Sequence, residues 1–251
     1  MSLRLDKIDL TVKLEQEEYK QKLSKLQTRI RNLQMKCVKN NIPVVICFEG
    51  WDAGGKGGVI KRLIANMDPR YYSIVPISAP TKEELNHHYL WRFWKHLGNN
   101  KNWTIFDRSH YGRVLVERLE GFCSEEDWKR ALSYEINDFE TSLTNYGAIV
   151  IKFWLHISKE EQELRLNLRK DDVFKKWKFT DEDIRNRDKW DQYVIAVNDM
   201  LAKTNTDLAP WFVIPGNDKL YARIFVLETI CEQIKINLQS IKNRERIIIR
   251  L

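Results

Sequence analysis

The sequence predicts an α/β fold, a parallel β-sheet flanked by helices. Three observations predict it. Five short apolar, β-rich runs are spaced along the chain, helical patterns separate them, and the first run ends in a glycine-rich loop. Strands that alternate with helices pair in parallel, because each crossover helix must pack back onto the sheet.

The first pattern is helical. Leu23, Leu26, Ile30, Leu33 and Cys37 recur at alternating three- and four-residue steps within 14–39, which places them on one helix face. Residues 43–49 follow as a buried strand ending at glycine. Similar apolar runs lie at 72–77, 103–106, 148–155 and 211–214. Helical patterns occupy 56–66, 83–96, 125–146, 181–201 and 221–238. The stretch 165–190 breaks the rhythm with Arg165, Arg169, Lys170, Lys175, Lys176, Lys178, Arg185, Arg187 and Lys189. Lying between the fourth strand and a long helix, it predicts a helical lid over about 160–190. With neither repeats nor a flexible linker, the 251 residues are expected to form a single domain, 1–251.

Composition narrows the function. Hydrophobic residues make up 43% and charged residues 31%, a balance that supports a packed core. No run approaches the roughly 20 apolar residues that span a bilayer, and the first residues lack the apolar block of a signal peptide. A cytoplasmic location without membrane partners is therefore expected. Cys37, Cys47, Cys123 and Cys231 form no CxxC pair and are read as reduced thiols rather than zinc ligands. The formal charge of +7 favours a polyanionic partner: nucleic acid, nucleotide, anionic membrane or polyphosphate.

The loop after the first strand reads Gly50-Trp51-Asp52-Ala53-Gly54-Gly55-Lys56-Gly57-Gly58 and leads into a helical pattern. This is the strand–loop–helix setting of a P-loop. Gly50, Gly54, Gly55, Gly57 and Gly58 let backbone amides approach phosphate oxygens, the helix N-terminus adds positive potential, and Lys56 supplies a point charge. Gly57 stands where a magnesium-binding Ser or Thr is usual. Asp52 is the replacement candidate, since a carboxylate among phosphates needs a cation and magnesium prefers hard oxygens.

A second acid ends the strand Trp103-Thr104-Ile105-Phe106-Asp107. An acid at that point of a neighbouring strand completes the metal site of P-loop folds, so Asp107 is paired with Asp52 as a magnesium ligand. Arg108, Arg113 and Arg118 follow, with planar forks suited to phosphate. Glu117 fits a surface ion pair better than a metal ligand. His87 and His88, beside Trp91, Phe93 and Trp94, are expected to be structural or interfacial, and no nucleophile triad emerges. Phosphoryl transfer needs none, because positioning and charge stabilisation suffice.

Together, FEGWDAGGKGG (48–58), IFDRSHYGRVLVER (105–118) and RNRDKWDQY (185–193) resemble the polyphosphate kinase type 2 family. Residues 79–97 and 119–140 are similar to its AMP-phosphorylating members. The resemblance runs from about residue 14 to 238 and implies a thymidylate-kinase-like P-loop kinase fold with a helical lid. It also implies Asp52 and Asp107 as Mg2+ ligands, Lys56 as the P-loop lysine, Arg108 as a stabiliser of phosphate charge and Arg169 as the lid arginine. The implied partners are inorganic polyphosphate, held in a basic groove, and AMP or ADP, with guanine nucleotides as further acceptors; assembly would be a homodimer or homotetramer. Two departures stand out: AGG where AAG is common, and His110 where tryptophan is common. An ATP-dependent nucleoside monophosphate kinase and an ADP- or GDP-preferring polyphosphate kinase are the nearest alternatives. A nucleic-acid-binding module is disfavoured by the organised loop.

Overall fold

Successive side chains of a strand point to opposite faces, and here both faces must be covered. In β1 (Val44–Gly50), Val45 and Cys47 face one side while Val44, Ile46 and Phe48 face the other, all of them buried. The computed structural model describes residues 3–97, 102–171 and 181–248. Its strands β1, β2 (Tyr72–Pro76), β3 (Trp103–Asp107), β4 (Ile149–His156) and β5 (Trp211–Pro215) form one parallel sheet in the order β2-β3-β1-β4-β5. Helices α1 (Gln16–Lys39), α2 (Lys56–Ile64) and α11 (Lys219–Ile248) share a core with the Val44 face. The Val45 face packs on α7 (Ile136–Asn145) and α10 (Trp190–Thr204). Among the described residues no helix is long and apolar enough to cross a membrane.

The chain leaves β1 toward β2 on one side and leaves β4 toward β5 on the other. The loops after these two adjacent strands therefore part, opening a crevice at the carboxyl edge of the sheet, where open α/β sheets place their ligands.

All five strands lie where the sequence predicts them; three helices differ. The expected helix 83–96 is two single turns, α3 (Lys82–Leu85) and α4 (Trp91–Trp94). Thr81 and Glu84 form a reciprocal cap, and the Glu84 carboxylate also meets Lys95 at 2.8 Å and Arg92 at 3.5 Å. A continuous helix would set residues 84 and 95 about 16 Å apart, so these ion pairs require the chain to fold back. After the short α5 (Val116–Glu120), the pattern at 125–146 is α6 (Glu125–Arg130) and α7 joined through a π-helical turn, Ala131–Glu135. The pattern at 181–201 is α9 (Asp181–Asp188) and α10, separated by Lys189, whose ammonium turns to Leu119 O and Glu120. In the expected lid, α8 (Lys159–Asp171) and α9 are described, whereas Lys175, Lys176 and Lys178 lie outside the described residues.

One lysine sits in the middle of the sheet. Lys152 of β4 is fully buried, and its Nζ donates to Glu140 Oε2 at 2.7 Å, Tyr111 Oη at 2.8 Å and Thr204 O at 2.6 Å. The ammonium thus spends all three protons, tying β4 to α7, to the turn after β3 and to the end of α10. Removing one partner of a buried pair strands the other charge. Lys152→Met should lower stability by about 3–5 kcal/mol, and adding Glu140→Leu should recover most of it. Urea unfolding measures both; an unchanged midpoint for the single variant would contradict the analysis.

Candidate phosphate-binding site

The loop between β1 and α2 is built from backbone that few residues adopt. Gly50 has φ +147°, and a Cβ there would stand 2.6 Å from Leu155 O of β4. Gly55, at φ +106°, turns the chain into α2. Ala53, at φ +61°, takes the left-handed form without being glycine. At Gly54 a Cβ would meet Trp51 O at 2.7 Å. The AGG departure is thus a steric matter in this backbone as well as one of freedom. Lys56 opens α2 and folds its ammonium back over the loop, donating to Gly50 O at 2.7 Å and Trp51 O at 3.4 Å.

Asp52 lies at the centre. Arg108 donates to its Oδ1 at 3.1 Å and Asn186 of α9 to its Oδ2 at 2.7 Å. Burial opposes its charge, but Lys56, Arg108 and the Asn186 hydrogen bond together hold its carboxyl below the usual range. Asp107 ends β3 beside Phe48 of β1, half-buried, with its carbonyl accepting from Ile77 N. Arg108 is a second left-handed non-glycine, at φ +64°. Its N–H donates to Phe48 O at 3.0 Å, and the next residue, Ser109, donates both N–H and Oγ–H to Glu49 Oε1 at 2.7 Å. These bonds hold the strained turn that aims Arg108 at Asp52. Glu49 is buried, which raises its carboxyl pKa against the pull of Lys56 and Ser109.

Two cavities flank the loop. A small one, about 50 Å³, is lined by Glu49, Asp52, Lys56, Arg108, Asn186 and Tyr193 among others. A larger one, about 600 Å³, has Gly55, Gly57 and Gly58 on one wall, with Lys61, Arg62, Arg169, Lys219 and Arg223 around it. A multiply charged anion fits such a concentration of cations.

The structure brings Asp52, Lys56, Arg108 and the loop glycines together, sets Asp107 on the strand next to them and puts Arg169 at the larger cavity. Arg113 and Arg118 line neither cavity. Arg113 pairs with Glu117 at 3.1 Å and lies over Tyr89; Arg118 pairs with Asp199 at 2.9 Å and lies over Trp128. His87 stacks on Trp91, and His88 approaches Glu135. Sequence reasoning missed Glu49, Ser109, Asn186 and Gln162 and saw Arg165 only as one of a basic run. Glu49, Ser109 and Asn186 lie inside the three motifs and were within reach; Gln162 lies outside them and had no such signal.

The donor set fits a hard cation. No group of three or more acidic, histidine or cysteine side chains converges among the described residues. Magnesium takes one or two carboxylates and completes its shell with water and substrate oxygens, and the ionised Asp52 with Asp107 on the adjoining strand could supply them. In this structure Arg108 and Asn186 each hold one of the two Asp52 oxygens.

Trp51 anchors the loop to the start of α10 and the end of β4. Its ring stacks on Trp190 at 3.7 Å between centroids, and its Nε1–H donates to His156 Nδ1 at 3.0 Å. Burial pushes the His156 pKa down to about 4, leaving it the neutral acceptor that this bond requires.

A parallel sheet with this glycine-rich loop between its first strand and the following helix defines a P-loop α/β protein. The family model of polyphosphate kinase 2 (PPK2) matches residues 13–242, and the chain belongs to that family. It is 52% identical over 231 residues to a polyphosphate:AMP phosphotransferase of Pseudomonas aeruginosa, covering 92% of this chain and 46% of the relative. It is 38% identical over 216 residues to ADP-polyphosphate phosphotransferase 3 of Rhizobium meliloti, covering 86% and 76%. Polyphosphate kinase 2 of Arthrobacter aurescens, a solved structure, superposes with a TM-score of 0.88 at 33% identity, covering 93% of this chain and 85% of that one. The chain thus spans less than half the length of the Pseudomonas relative.

His156 gives a pH test of the loop anchor. Its folded pKa, about 4, lies below the ordinary value near 6.5. The unfolded chain therefore binds the proton more tightly between these values. The stability tied to neutral His156 is complete above about pH 6.5 and is lost as pH falls through about 4. His156→Gln should flatten the stability–pH curve in that window by up to about 1.4 kcal/mol per pH unit. Denaturant titrations from pH 4 to 7 check this; parallel curves for the two proteins would refute it.

Proposed function

We propose that this chain transfers a phosphoryl group from inorganic polyphosphate to AMP, giving ADP, with ADP to ATP as a further activity. The observation that carries the reading is the cavity beside Gly55, Gly57 and Gly58, where Lys61, Arg62, Arg169, Lys219 and Arg223 surround a space larger than a single phosphate needs. A repeating polyanion suits such a row of cations. The name of the Pseudomonas relative, at 52% identity, points to the same donor and acceptor.

In this reading the terminal phosphoryl of polyphosphate lies over the loop, and a phosphate oxygen of AMP attacks it in line. The new P–O bond forms as the bond to the shortened chain breaks. Lys56 and Arg108 stabilise charge on the equatorial oxygens, and the loop amides hold the donor in place. Arg169 binds the donor chain from the lid side, where closure excludes the water that would hydrolyse it. Asp52 and Asp107 would hold magnesium, which when bound neutralises charge on both phosphates.

Purified protein with magnesium and long-chain polyphosphate, given AMP, ADP, GMP or GDP separately, should convert AMP to ADP. Asp52→Asn and Asp107→Asn should each lower kcat/KM by about 10²–10³-fold, the scale of losing one charge-stabilising group, and a chelator should stop turnover. Near-normal rates in either variant would overturn the metal assignment. Turnover with ATP but not with polyphosphate would overturn the donor.

A further inference from the structure

Helix α8 reaches behind the P-loop with two buried side chains. Arg165 is 4% exposed and Gln162 is 1% exposed. Each N–H of the Arg165 guanidinium is used: Nε on Glu161 at 2.5 Å, Nη1 on Ala53 O at 3.1 Å and Gly54 O at 3.2 Å, and Nη2 on Gly216 O at 2.6 Å and Asn217 O at 2.9 Å. One turn earlier, Gln162 Nε2 donates to Asp52 O at 3.2 Å. Its Oε1 has no hydrogen-bond partner among the described residues, so the amide is held by its donor end. Three consecutive loop carbonyls, of Asp52, Ala53 and Gly54, are thus drawn to one helix.

Peptide planarity gives this a consequence. In a trans peptide the N–H points opposite to the preceding C=O. Carbonyls turned toward α8 turn the amides of Ala53, Gly54 and Gly55 away from it. The Gly54 amide is spent within the loop on Trp51 O, while those of Ala53 and Gly55 belong to the residues with φ +61° and φ +106°. Alone, a loop of this composition has many accessible backbone states, and its glycines widen the choice.

We propose that Gln162 and Arg165 are positioning residues: a clasp through which the lid's first helix sets the P-loop backbone for anion binding. Arg165 is not a phosphate ligand, because its guanidinium has no N–H to spare, in contrast with its role as one more charge in a basic run. It also joins the loop to the residues after β5 and stands one helical turn from Arg169, so the clasp registers the lid arginine against the loop. The proposal rests on the phosphate-binding reading of the loop, and its primary measurement needs no substrate.

Hydrogen exchange of the peptide spanning 50–58 in the free protein should accelerate in Gln162→Met by about 2–10-fold, the scale of one lost hydrogen bond, and by tenfold or more in Arg165→Lys. The lysine keeps the charge but cannot serve four carbonyls. Calorimetric titration with tripolyphosphate, well below each thermal midpoint, should show a matching rise in Kd. If Arg165 acts only as a cation, Arg165→Lys will bind and exchange like wild type, and the clasp is wrong. If Arg165→Lys does not fold, Gln162→Met decides: unchanged exchange in the loop, or exchange raised equally across the whole protein, overturns the proposal. Failure of the wild type to phosphorylate AMP would strike the function above and leave the exchange result standing.

Discussion

An anion-binding loop works when its amides face one way, and they do so only when its carbonyls are satisfied on the other side. Here that second condition is met by a buried guanidinium and a buried amide on α8. The rest of the site is arranged around the loop so held. Gly50 lets β1 pass within contact of Leu155 O, and Trp51 is pinned to His156 and Trp190. Lys56 is free to bend over the loop because α2 starts at its own backbone. Shifting the loop peptides would move each of these groups relative to the others.

The charges follow the same economy of burial. A carboxylate at Asp52 would be costly in this position without cations, and Lys56 and Arg108 provide them while Asn186 adds a hydrogen bond. Arg108 reaches it only through a left-handed turn, held by Phe48 O and by the grip of Glu49 on Ser109. Deeper in, Lys152 and Glu140 form a closed pair beneath the turn that follows β3, so the segment carrying Arg108 rests on a fixed polar floor. The loop, the turn and the floor are three levels of one arrangement in which each buried charge has its partner at hand.

Much of this was legible from residues alone, and the reasons are local. An apolar run of β-branched residues ending in glycine reads as a buried strand because no other element suits that composition, and 43–49 is one. The glycines and Lys56 read as a P-loop because the conformation demands those residue types. What misled was local too. The 83–96 pattern has helical spacing, yet Glu84 pairs with Arg92 and Lys95 by folding back, a distance that periodicity does not contain. Arg113 and Arg118 read as phosphate ligands by type and place, and periodicity does not contain the contacts they make here with Glu117 and Tyr89 and with Asp199 and Trp128.

Determined by sequence alone were the five strands, the glycine-rich loop that follows the first of them, and the acids and cations available near it. These depend on backbone freedom, side-chain alternation and ionisation, all properties of neighbouring residues. Tertiary structure decided which cations stand at the cavities, and it recruited Gln162, Arg165 and Asn186 to residues more than a hundred positions away. The physical reason is that a buried polar group is defined by the partners brought to it, and partners separated along the chain meet only once the sheet has placed its edges.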